Sequence, residues 1–161
     1  MGPGVLVFCS GNRISVAGWH ANTRARGKSV KFVHIGIVVH DIQESLKVYE
    51  KALGLPLKVI RGVPDQQVQV AFLPIGESNV ELVQPTSDDT GIAKFLDKRG
   101  EGIHHICVEV EDIEAALERL KAHQVPLIDE APRRGAHGRV AFVHPKGAHG
   151  VLIELLEHDG Q

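Results

Sequence analysis

Laid over itself with an offset of 71 residues, this chain repeats. The stretch FVHIGIVVHDIQESLKVYEKALGL falls on IHHICVEVEDIEAALERLKAHQV, so that Ile35 meets Ile106, Val39 meets Val110, Asp41 meets Asp112, Ile42 meets Ile113 and Leu46 meets Leu117. Further on, Val70-Ala71-Phe72 matches Val140-Ala141-Phe142, and Val80-Glu81-Leu82-Val83 matches Ile153-Glu154-Leu155-Leu156. A duplicated unit restricts the fold more than any other feature here. Both copies must adopt the same local structure, and equivalent residues can converge where the copies meet. His34 and Glu81 in the first copy, and His105 and Glu154 in the second, are such residues.

Each copy predicts strand, helix, then three strands. Residues 32–39 are rich in Val and Ile and alternate, as a half-buried strand does. Asp41 then stands at an N-cap position with Glu44 three residues on, the spacing of a capping box. Ile42, Leu46, Tyr49 and Leu53 follow at helical spacing, and Gly54 suits the position just past the helix end. Strands are expected near 57–61, 68–74 and 79–84, a capped connector helix over 92–98, and a hinge over 99–102. In the second copy a strand spans about 103–110, Asp112 caps a helix running to about His123, and strands lie near 126–129, 139–143 and 150–156. The fold class expected is α+β, with two βαβββ modules forming a cupped mixed sheet. The modules cover about 31–98 and 101–157 of a single domain at 31–158.

Alternation within strands predicts which side chains share a face. His34 goes with Gly36 and Val38, while Ile35, Ile37 and Val39 take the helix side. His105 goes with Cys107 and Glu109, while Ile106, Val108 and Val110 take the other. Glu154 opposes Val151, Ile153 and Leu155. Two imidazoles and two carboxylates would thus share the face away from the helices. That donor set suits a borderline divalent cation such as Zn, Co, Mn, Ni or Fe. His104, beside His105, is excluded by alternation and by the repeat.

The rest of the composition narrows the partners. A formal charge of −2 points to neither nucleic acid nor an anionic membrane, and 43% hydrophobic residues suffice for a packed core. Two cysteines far apart in the chain, Cys9 and Cys107, read as a reducing compartment rather than a disulfide framework. No apolar run nears the roughly 20 residues of a membrane span. Residues 1–30 carry Arg13, Arg24, Arg26 and Lys28 but no acid. They are read as a disordered extension, which makes the protein cytoplasmic; as a transit peptide they would direct it to the mitochondrial matrix.

The motifs HIGIVVHDIQESLKVYEKALGL, IAKFL, GEGIHHI and HPKGAHGVLIEL together resemble the methylmalonyl-CoA epimerases of the vicinal-oxygen-chelate, or glyoxalase/bleomycin-resistance, superfamily. The resemblance runs over about 31–157. It implies a homodimer that epimerises (2R)- and (2S)-methylmalonyl-CoA by metal-assisted removal and return of the α-proton. It also implies a divalent ion (cobalt, zinc or manganese) on His34, Glu81, His105 and Glu154. Glu154, then Glu81, are the expected acid/base groups. Ala136, His137 and Gly138 would offer backbone N–H groups to the substrate carboxylate, and Arg133, Arg134 and Lys146 would meet CoA phosphates. A glyoxalase I-type lactoylglutathione lyase and a non-catalytic ligand-binding member are the alternatives. One departure from the pattern stands out: where some members carry a second acid/base Glu, this chain has Val70.

Overall fold

The alternating and helical stretches form as their patterns require in a computed structural model of the chain, which describes residues 30–135 and 137–159. The leader, and with it Cys9, falls outside this range except for residue 30. In the first module, β1 (Lys31–Val38) leads into α1 (Ile42–Leu46), which continues as a wider π-type turn over Lys47–Ala52. Strands β2 (Val59–Val63), β3 (Val68–Ile75) and β4 (Ser78–Pro85) follow. The connector is α2 (Gly91–Arg99), capped by Thr90, whose Oγ1 accepts from Ala93 N at 3.0 Å. The second module holds β5 (Gly102–Glu109), α3 (Ile113–Ala122), β6 (Arg133–Arg134), β7 (Gly138–Val143) and β8 (Leu152–His158).

All eight strands form one mixed sheet in the order β2-β3-β4-β1-β5-β8-β7-β6. Each module contributes one parallel pair, β1 with β4 and β5 with β8, flanked by antiparallel neighbours. The modules meet along the antiparallel β1–β5 pair. Even the helix starts repeat. Ile42 N donates to Gln84 Oε1 at 2.9 Å, and Ile113 N donates to Glu157 Oε2 at 2.7 Å, so a β4 or β8 side chain satisfies an otherwise orphan N–H in each copy.

One sheet face is packed against the helices. Val39, Ile42, Leu46, Ala71, Leu73, Val80 and Leu82 form the core under α1, with Ile35 and Ile37 against it. Val110, Ile113, Ala116, Leu117, Ala141, Val143 and Leu155 form the matching core under α3. Burying a Leu or Ile of this kind contributes about 1.5–3 kcal/mol. On the other face, Ile92, Phe95 and Leu96 of α2 lie over Val38, Val68, Val70 and Val83. Cys107, Val140 and Leu156, with Val33, form the equivalent apolar patch of the second module, which no helix covers among the described residues.

Three details depart from expectation. Asp41 does cap α1, accepting from Gln43 N at 2.6 Å and Glu44 N at 3.1 Å, but Glu44 turns to Lys47 Nζ at 2.7 Å instead of closing a capping box. The strand expected at 126–129 shrinks to a single bridge, Leu127 to Val143, and the edge strand is β6 instead. Pro126 has no N–H to give, and the Asp129 carboxylate accepts from Phe142 N at 3.0 Å, where a continuing strand would place a carbonyl. Finally, the β1–β5 register slips twice. Between Phe32 and His34 the extra residue lies on β1, and between His105 and Ile103 it lies on β5. These two bulges, at Val33–His34 and His104–His105, are equivalent under the 71-residue repeat.

Candidate active site

The bulges matter because a residue inserted into a strand re-aims its neighbours. Val33 and His34, and likewise His104 and His105, all line one cavity of about 460 Å³ on the sheet face away from α1 and α3. Simple alternation sends Val33 and His104 to the helix side. The structure corrects this for His104: it shares the cavity with His105.

Four side chains converge near the β1–β5 seam. His34 Nε2 and His105 Nε2 are 2.9 Å apart. Glu154 Oε2 lies 3.6 Å from His34 Nε2 and 3.4 Å from His105 Nε2. Glu81 Oε1 approaches the other ring nitrogen of His34, Nδ1, at 3.3 Å. The register places them: Gly36 pairs with Glu81 across β1–β4, and Cys107 with Glu154 across β5–β8. Gly36 also makes the space. A Cβ there would stand 2.3 Å from Cε1 of His105, so only a glycine lets the imidazole lie over β1. Cys107, its equivalent in the second copy, is fully buried with its sulfur close to His34 and Glu154.

Burial and neighbours set the charges. Burial raises the Glu81 carboxyl above its ordinary value of 4.5, despite the attraction of His34 and His105. Burial acts on Glu154 as well, but hydrogen bonds from His105 and His34 outweigh it and hold that carboxyl at about 2. Burial, then His105, depresses His104 to about 4, which makes it neutral at pH 7. Burial, then the negative charges of Glu154 and Glu81, pushes the Cys107 thiol up, so it remains a neutral S–H.

The donor chemistry fits a divalent cation. Ligands held about 2.1 Å from one ion sit roughly 3.0–3.4 Å from each other, close to the separations among His34 Nε2, His105 Nε2 and Glu154 Oε2. Desolvated carboxylates with no cationic partner are costly, which weighs against a purely structural role for the cluster.

The remaining residues singled out from sequence divide. His137 lines the cavity and is exposed, whereas Gly138 opens β7 and is held there by packing: a Cβ would lie 2.0 Å from Glu157 O. Ala136 lies outside the described residues. The N–H just before this segment is already engaged: Gly135 N donates to Gly138 O at 2.8 Å. Arg133 pairs with Asp129 at 3.6 Å and stacks on Phe142, and Arg134 pairs with Asp159 at 2.7 Å. Among the described residues the lysine and arginine that line the cavity are Lys58 and Arg61, which sequence reasoning passed over; so is His158, which reads as tail. Alternation could not have signalled both: Lys58 precedes β2 and Arg61 lies within it three residues on, so a regular strand would send them to opposite faces. Val70 sits in the cavity wall and is nearly buried, so no acid occupies that position.

Comparison with known proteins gives the family. Residues 33–142 match the family described as the Glyoxalase/Bleomycin resistance protein/Dioxygenase superfamily. The chain is 40% identical over 125 residues to the ethylmalonyl-CoA/methylmalonyl-CoA epimerase of Cereibacter sphaeroides, covering 76% of this chain and 93% of that one. It is 39% identical over 124 residues to the human mitochondrial methylmalonyl-CoA epimerase, covering 76% of this chain and 70% of that one. Among solved structures, a variant of the Streptomyces coelicolor methylmalonyl-CoA epimerase in complex with 2-nitronate-propionyl-CoA superposes with a TM-score of 0.73 at 34% identity, over 82% of this chain and 97% of that one.

Proposed function

We infer that this chain, which belongs to the Glyoxalase/Bleomycin resistance protein/Dioxygenase superfamily and within it to the methylmalonyl-CoA epimerases, is an isomerase that interconverts (2R)- and (2S)-methylmalonyl-CoA. The observation that carries the reading is the pair of half-buried carboxylates, Glu81 and Glu154, delivered one from each copy to two imidazoles in a single cavity.

The α-carbon of this substrate lies between a thioester and a carboxylate, and inversion needs a proton to leave one face and arrive on the other. His34, Glu81, His105 and Glu154 are the residues that would hold a divalent ion, with cobalt, zinc or manganese as candidates. Such an ion supplies Lewis-acid stabilisation of the negative charge that develops when the proton leaves. Glu154 is assigned as the group that takes the proton, since it is ionised down to about pH 2. Glu81, the other carboxylate in the cavity wall, is assigned as the group that returns it. With Val70 in the wall, no other carboxylate is at hand for the second role among the cavity-lining residues described. Val68, Val70, Phe72, Val83 and Phe142 exclude water that would quench the intermediate. The segment Ala136, His137 and Gly138 is assigned to the substrate carboxylate, and Lys58 and Arg61, in place of the two arginines of β6, to CoA phosphates.

No helix of the described residues is long and apolar enough to cross a membrane. The reading places a homodimer in the cytoplasm, or in the mitochondrial matrix if residues 1–30 are a transit peptide; sedimentation and N-terminal sequencing of the native protein test the two statements. For the activity, deuterium exchange at the α-carbon of methylmalonyl-CoA is followed by NMR in D₂O, with metal-stripped and metal-restored protein. Metal-dependent exchange with epimerisation is expected, and Glu154→Gln is expected to lower it about 10²–10⁴-fold. Absence of exchange with cobalt, zinc and manganese alike would sink the reading; a glutathione hemithioacetal is the control substrate.

A further inference from the structure

The end of β8 holds the segment that leads into β7, and the two modules do this in different ways. Val68 opens β3 opposite Pro85 of β4, and Gly138 opens β7 opposite His158 of β8, so residues 67 and 137 are equivalent. In the first module the carbonyl at this point, Gln67 O, accepts from Thr86 N at 2.8 Å. In the second module a side chain meets the equivalent carbonyl: His158 Nδ1 lies 3.0 Å from His137 O. A carbonyl oxygen can only accept, so Nδ1 carries the proton whether the ring is neutral or cationic. The tie therefore persists on both sides of the imidazole's titration. It acts where the backbone has little restraint of its own, between Gly135 and Gly138. Gly138 stands at φ 148°, and a Cβ on it would lie 2.9 Å from Cα of His158, so the segment rests against the end of β8. Beside it Arg134 pairs with Asp159 at 2.7 Å, a second tie to the residue just past that strand. His137 and His158 both line the cavity.

We propose that His158 is a positioning residue: its Nδ1–H, donated to His137 O, fixes where His137 and Gly138 stand at the cavity wall, and so how firmly a substrate anion is held there. The effect on binding rests on the assignment of this segment to the substrate carboxylate, but the tie itself does not. An exposed imidazole in a cavity wall has two rival roles, contact with the substrate through its own ring and plain solvation, and each predicts a different set of variants.

The test compares wild type with His158→Asn and His158→Phe. Asparagine carries an N–H close to the position of the imidazole Nδ1, whereas phenylalanine keeps a ring and donates nothing. In the substrate-free protein, the ¹³C resonance of the His137 carbonyl should shift in H158F and stay near its wild-type position in H158N. In steady state, H158F should raise KM for methylmalonyl-CoA about three- to tenfold, the worth of one hydrogen bond, with kcat within about twofold of wild type. Such a split marks binding shared equally by substrate and transition state. H158N should stay within about twofold of wild type in both constants. Equal losses in H158N and H158F would mean that the ring itself meets the substrate, and an unchanged KM in H158F would mean that the tie does not act on binding; either overturns the proposal. An unmoved His137 carbonyl in H158F overturns it as well. Should wild type not epimerise methylmalonyl-CoA, the functional reading falls, and the carbonyl resonance still decides whether His158 holds the segment.

Discussion

At the scale of single residues the site depends on small and buried groups as much as on its donors. Gly36 is open to a direct test: an alanine Cβ would push the His105 ring by more than an ångström. Displacements of that size cost about 100-fold in rate. Gly36→Ala should therefore lower kcat/KM by about that factor in the epimerisation assay while the far-UV spectrum stays native. Glu154 and Glu81 shift in opposite directions, so they make opposite contributions to the pH dependence of the metal-free protein. Glu154 is depressed to about 2 from an ordinary 4.5, so the stability it contributes is present above pH 4.5 and is lost as pH falls toward 2. Glu81 is raised from the same value, so the folded state binds more protons than the unfolded one above pH 4.5, and stability falls as pH rises through its folded value. Urea melts in chelator should show the acid limb flattened in Glu154→Gln and the limb above pH 4.5 flattened in Glu81→Gln.

At the scale of elements, the strands, helices and caps could largely be read in advance, because they follow from local periodicity. Asp41 and Asp112 cap their helices as expected, and Gly54 adopts φ 75° past the first helix, where a left-handed residue was called for. Asp112 accepts from Ala115 N at 2.8 Å. Asp112→Ala should cost about 1 kcal/mol, seen as a loss of roughly 3 °C in Tm, with the cavity chemistry unaffected because α3 lies on the opposite face. What periodicity could not show was its own interruption. The bulges that bring Val33 and His104 to the cavity depend on how β1 pairs with β5, and neither bulged pair, Val33–His34 or His104–His105, holds a glycine or proline to announce it; Gly36 lies on the strand facing the second. The loss of the strand at 126–129 was similarly hidden, since it needs the Asp129 side chain to reach Phe142 across the sheet.

At the scale of the whole molecule, the two copies are joined by β1 and β5, and the proposed donors come equally from both. An ion held across that seam stabilises only the assembled form. At a free metal concentration a hundred times Kd this is worth about 2.7 kcal/mol, or roughly 5–10 °C in Tm. Cobalt added to stripped wild type should produce such a rise in scanning calorimetry, and His34→Ala or His105→Ala should abolish it. A rise that survives both substitutions would place the ion elsewhere. The duplication, the α+β class, the face shared by His34, His105, Glu81 and Glu154, and the kinship with the epimerases were all determined by the sequence alone, since repeat offset and side-chain alternation are properties of the chain itself. The approach of His105 over Gly36, the turning of His104 into the cavity, and the placing of Lys58 and Arg61, but not Arg133 or Arg134, along the cavity wall were decided only by tertiary structure. Each depends on register and distance between strands remote in sequence, and such pairings come into being only when the sheet closes.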